Sequence, residues 1–108
     1  MDQKSAKDLK AIIKIASHYG QVKQTQQTVE ECSELIQAIC KSWRTTPETP
    51  APEFEQTKEH IIEEMADVQI MLWQLYYLMI PDSDEMDRRI SEKLERQLKR
   101  IEEEYDEI

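Results

Sequence analysis

Four acidic residues are the side chains in this sequence whose type and spacing best suit chemistry. Glu31 and Glu34 lie in Glu30-Glu31-Cys32-Ser33-Glu34-Leu35, and Glu64 and Asp67 lie in Glu63-Glu64-Met65-Ala66-Asp67-Val68. Residues three apart project from one side of a helix within a single turn, so two such pairs on facing helices can converge. Acids gathered in this way repel one another unless a cation sits among them. Ligands that are all oxygen suit magnesium, or manganese, rather than zinc. Such a site works on a substrate that arrives with magnesium.

The elements that must position these residues are helices. One glycine, four prolines and abundant Glu, Lys, Gln, Leu, Ile and Met specify an all-α protein, and no β-branched or aromatic run alternates with polar residues as a strand would. The spacing predicts a first helix over 5–17, with Leu9, Ile12, Ile13 and Ala16 on one face and Gly20 as a left-handed cap beyond it. A second helix is expected over 21–43, with Val29, Cys32, Ile36, Ile39 and Trp43 alternating by three and four. The stretch 44–53, with three prolines, breaks it. A third helix over 54–80 stops at Pro81, and a fourth from Asp84 to the end carries Met86, Ile90, Leu94, Leu98, Ile101 and Tyr105 on one stripe. The whole of 1–108 reads as one domain.

At about 100° per residue, Glu31 and Glu34 point away from the Ile36/Ile39/Trp43 stripe, and acids so placed are ordinarily the solvated face of an amphipathic helix. The third helix reads differently. Ile61, Met65, Val68, Leu72, Leu75 and Met79 form one stripe, while Ile62, Ala66, Ile70, Trp73 and Tyr77 cover much of the remaining circumference. That helix is expected to be buried nearly all round, with Glu64 and Asp67 at the stripe's edge, where each needs a cation, a proton or a basic partner. An arginine of the fourth helix would also serve as that partner. Three short neighbours cannot cover such a helix, so a second copy is expected to supply the missing wall, as a dimer or a tetramer.

A formal charge of −9 argues against a nucleic-acid polymer as partner, since binding one needs a basic surface; a free nucleotide carrying its own metal is permitted. Cys32 and Cys40, too far apart on one helix to pair, suit a reducing compartment, and the polar start from Met1 to Lys10 has no apolar core of a signal peptide. Cytoplasmic location is therefore expected. The most apolar run, Ile70 to Ile80, is interrupted by Gln74 and is shorter than the about 20 residues a membrane span needs.

The order Glu-Glu-x-x-Glu-Leu, a connection, then Glu-Glu-x-x-Asp-Val opening a second apolar run resembles the MazG-like branch of the all-α nucleoside triphosphate pyrophosphohydrolases, whose relatives include the dimeric dUTPases and dCTPases. The resemblance covers about Gly20 to Arg100. It implies a four-helix MazG-like bundle completed by oligomerisation. It also implies magnesium bound by Glu31, Glu34, Glu64 and Asp67, with Glu30 and Glu63 orienting ligands or water. The reaction implied is cleavage of a nucleoside triphosphate between its α- and β-phosphates to monophosphate and pyrophosphate, in nucleotide-pool housekeeping, with a nearby glutamate, not identifiable from the sequence, as general base.

In such relatives the fourth helix carries a lysine, an asparagine and an arginine at helical spacing; Lys93, Gln97 and Arg100 stand there, with Gln97 a departure. Independently, Arg88 to Arg100 holds six basic residues against two acids, a patch suited to phosphates or to salt bridges with Glu92 and Glu95. Trp43, Trp73, Tyr76, Tyr77, His18 and Tyr19 offer surfaces for a base, though aromatics at helical spacing more often belong to the core. Neither His18 nor His60 sits in a nucleophile motif or has the Glu three residues before it that a di-iron site needs. An inactive nucleotide-binding module, or a structural helical oligomer with solvated acids, are the other readings of the chain.

Overall fold

The computed structural model describes residues 5–80 and 84–106. They form four helices and no strand: α1 (Ala6–Tyr19), α2 (Gln21–Ser42), α3 (Ala51–Met79) and α4 (Glu85–Asp106). The expected stop at Pro81 lies outside the described residues.

Local sequence explains each boundary. Ser5 caps α1, its Oγ accepting from the Asp8 backbone N–H at 3.1 Å, which satisfies one of the orphan donors of the first turn. Gly20, at φ 83°, ends α1 and starts α2, a conformation that costs glycine little and other residues more. The α3 helix begins three residues earlier than expected, with Ala51, Pro52 and Glu53 in its first turn. The stretch 44–53 therefore breaks α2 without delaying α3, because proline at the start of a helix loses no hydrogen bond and its fixed φ already suits the turn.

The main packing is between α2 and α3, with α1 laid mostly against α3. Gln24 near the start of α2 meets Gln74 near the end of α3, while Glu31 meets Glu64 further along, so the two helices run antiparallel. The core is small: Ile12 and Ala16 of α1, Ala38 of α2 and Met71 of α3, with Gln24, Thr28 and Gln74 buried beside them. Gln24 Nε2 donates to Gln74 Oε1 at 2.7 Å, and the Thr28 hydroxyl donates to the Gln24 carbonyl at 2.7 Å. Leaving one of these buried amides unpaired would cost about 1–3 kcal/mol.

Two expectations about faces are corrected. On α2 the inward ridge is Gln24, Thr28, Glu31, Leu35 and Ala38, and of the apolar stripe expected to pack Val29, Ile36 and Trp43 are turned out, 70%, 60% and 76% exposed, while Cys32 and Ile39 are half-buried. The α3 helix is not buried all round within one chain. Ile61, Val68 and Leu75 are half-buried under α2, but Met65, Leu72 and Met79 are exposed, since α1 and α2 cover only part of the circumference. The α4 helix has no neighbour among α1–α3 and buries none of its residues. No helix among the described residues is long and apolar enough to cross a membrane.

Candidate metal centre

Turning the inner ridge of α2 toward α3 brings Glu31, Glu34 and Glu64 together, each offering a carboxylate oxygen, with those oxygens within 4.8 Å of one another. All three residues are half-buried. The arrangement follows from the antiparallel pairing: Glu31 and Glu64 occupy facing inward positions, and Glu34, one turn on from Glu31, still reaches the shared centre.

Two contacts orient the deepest carboxylates. Gln27 Nε2 donates to Glu31 Oε1 at 2.9 Å, and His60 Nε2 lies 3.4 Å from Glu64 Oε1. The other oxygen of each, Glu31 Oε2 and Glu64 Oε2, is buried with no hydrogen-bond partner. Buried carboxylate oxygens normally find a donor or a cation, because desolvating an anion without compensation is expensive. Oxygen-only donors from three converging carboxylates, two of which carry an orphaned oxygen, fit a hard divalent cation such as magnesium or manganese.

Electrostatics agree with the geometry. The Glu34 carboxyl is raised above its ordinary range, first by the charge of Glu31, then by partial burial, and further by Glu64 and Glu30. Since the folded chain holds this proton more tightly than the unfolded chain, rising pH ionises the unfolded chain first and stability falls until the folded group has also ionised. The cation-free protein should therefore gain stability on acidification from neutral pH into the carboxylate range, and magnesium should remove that gain. Thermal melts in chelator would check this: Glu34→Gln should be more stable than wild type at neutral pH and show a smaller gain on acidification. Parallel profiles for the two proteins would dissociate Glu34 from the cluster.

The other sequence-derived site residues are placed differently. Asp67 is exposed and outside the set of three. Residues three apart differ by about 60° around a helix, so with Glu64 aimed at α2, Asp67 rotates away. Glu30 and Glu63 are exposed, and the side chains that touch the clustered carboxylates are Gln27 and His60 instead. Both lie four residues before the carboxylate they contact, a spacing that brings side chains together on a helix and that could have been read from the sequence. Lys93, Gln97 and Arg100 are exposed on α4, which does not approach the carboxylates within the chain. Its basic residues pair locally: Arg88 and Arg89 both reach Glu85 Oε1, at 3.5 and 2.6 Å.

Of the aromatics, Trp43 is exposed on the outer face of α2, and Trp73 is half-buried in a groove with Ile12, Ile15 and Ile70 between α1 and α3. Tyr76 is half-buried and Tyr77 is exposed. Tyr19 stands edge-on to His18 and carries Lys23 Nζ 4.7 Å from its ring centroid. Cys32 and Cys40 are free thiols.

Comparison with protein-family models, curated proteins and solved structures finds no match to this chain.

Proposed function

We propose that this chain is a magnesium-dependent nucleoside triphosphate pyrophosphohydrolase that cleaves between the α- and β-phosphates. The observation that carries this reading is the convergence of Glu31, Glu34 and Glu64 within 4.8 Å across antiparallel helices, where Glu31 Oε2 and Glu64 Oε2 are buried without a hydrogen-bond partner. The glutamates hold the cation, and Asp67, exposed three residues further along α3, stands outside the cluster. Magnesium or manganese held there would neutralise phosphate oxygens and lower the pKa of a ligated water. The resemblance of the two acidic hexads to those of MazG-like enzymes supplies the substrate class and the bond cleaved.

A homo-oligomer, at least a dimer, belongs to this reading, because the outward apolar stripes of α2, α3 and α4 need a cover that one chain does not supply. The four-helix bundle is then completed between copies. Free cysteines suit the cytoplasm, where nucleotide pools are maintained.

The test is turnover. Purified protein with magnesium and a panel of canonical and modified dNTPs and NTPs should yield monophosphate and pyrophosphate from at least one member. Magnesium binding without turnover across the panel would favour the inactive nucleotide-binding module. That second reading has one observation behind it, the distance of α4 and its cations from the carboxylates of its own chain.

The α4 residues give a sharper check. If Lys93 and Arg100 hold the triphosphate, Ala at either should lower kcat/KM while leaving cation binding to the free protein unchanged, since a phosphate clamp acts only when substrate is present. Gln97→Asn, which restores the residue usual in MazG-like relatives, should preserve or improve turnover. Loss of an exposed ion pair would instead cost under about 1 kcal/mol of stability and leave kinetics alone. Unchanged kcat/KM in all three variants would make α4 a solvated cover.

A further inference from the structure

Each of the two orphaned oxygens has a tethered twin. Glu31 Oε1 accepts a hydrogen bond from the Gln27 amide at 2.9 Å, and the His60 imidazole Nε2 stands 3.4 Å from Glu64 Oε1. Both tethers are the residue four before the carboxylate, on the same helix, and in both cases the oxygen left over is Oε2, buried and without a partner. The site therefore has an approximate symmetry: α2 and α3 each contribute a carboxylate contacted by the side chain four residues before it, with different partners.

We propose that Gln27 and His60 are positioning residues that fix the planes of the Glu31 and Glu64 carboxylates, so that one free oxygen of each converges on a single divalent cation. This deepens the reading of the cluster as a metal centre and rests on it. A carboxylate with both oxygens free can turn about its last side-chain bond, toward solvent or away from its charged neighbour. Tying one oxygen back along the helix removes that freedom and leaves the second aimed inward. The Gln27 amide is neutral and orients Glu31 without neutralising the charge that attracts the cation, and the His60 imidazole stands against Glu64 from the matching position. Glu31 is the largest electrostatic influence on Glu34, so fixing Glu31 also sets the field in which Glu34 sits.

The experiment is manganese binding by the full chain in the absence of substrate, followed by calorimetry and by the electron paramagnetic resonance of the free and bound ion. Gln27→Ala and His60→Ala should each weaken binding by about 10–100-fold, the range expected when a group behind a metal ligand is removed. Alanine is the strongest helix former, so the helices should persist, as circular dichroism will report. The exchange variants Gln27→His and His60→Gln keep an N–H donor at each place and should bind manganese close to wild type. A helix-surface role alone would leave all four variants with wild-type affinity. That result, or exchange variants as weak as the Ala variants, would overturn the proposal while wild-type binding leaves the metal centre standing. Failure of the wild type itself to bind manganese would remove the metal centre and this inference together.

Discussion

Replacing Glu64 by Gln will abolish magnesium-dependent hydrolysis while leaving helical content nearly unchanged. Glu64 presents a side chain only 13% exposed, with His60 Nε2 3.4 Å from one oxygen and the other unpartnered. The amide keeps the shape but puts a neutral group where a cation needs an anion. The loss should exceed the roughly 10–100-fold that accompanies removal of a group behind a metal ligand. The empty site should become more stable, because an acid that repels Glu31 and Glu34 has gone. Asp67→Asn is the informative companion. At an exposed position outside the cluster, it should lower turnover while leaving cation binding to the free protein largely in place. Steady-state assay and melting curves on both proteins check this, and wild-type turnover by Glu64→Gln would show the assigned centre to be wrong.

The second large effect is assembly. Val22, Val29, Ile36 and Trp43 recur every seventh residue along the outer face of α2, between 60% and 76% exposed. Met65, Leu72 and Met79 repeat at the same interval on α3, about half exposed. A seven-residue apolar repeat is the pattern of a helix seam, and among the described residues no helix of the same chain covers it. Specific interfaces bury about 1,200–2,000 Å² in total, the size expected of a second copy laid over these stripes. Sedimentation at micromolar concentration should give at least twice the 12.9 kDa of one chain. Ile36→Glu combined with Leu72→Glu should shift the protein toward monomer, since each places a charge in the middle of an apolar stripe. A clean wild-type monomer of 12.9 kDa would end the idea.

Much of this molecule could be read from its residues, for identifiable reasons. Gly20 is the single residue suited to a positive φ, and it lies at the junction of α1 and α2. The ends of α2 and the start of α4 follow the apolar periodicity to within a residue. The inward face of α2 was not legible from hydropathy, because that face is Gln24, Thr28, Glu31, Leu35 and Ala38, more polar than the outer one. A helix that turns acids toward its own partner and saves its large apolar side chains for the outside inverts the usual rule. The Glu31/Glu34 pairing could be read from i,i+3 spacing. The exclusion of Asp67 could not, because that spacing does not say which member of a pair points at the neighbouring helix. Pro52 misled in the other direction: its effect depends on whether it falls inside a helix or in its first turn, and only the fold decides that.

The buried amide pair between Gln24 and Gln74 bears on distances it never touches. Two helices packed along apolar ridges can slide past one another in steps of a turn, and a step of about 5.4 Å exchanges one set of facing residues for another with little change in apolar contact. For Glu31 and Glu64 such a step exceeds the 4.8 Å that spans the carboxylate cluster. The 2.7 Å bond between the amides permits no such step without stranding two buried polar groups. Two neutral side chains, seven and ten residues along their helices from Glu31 and Glu64, thereby index α2 against α3 as a detent indexes a dial. The spacing of the acids is set from the far end of the helix pair.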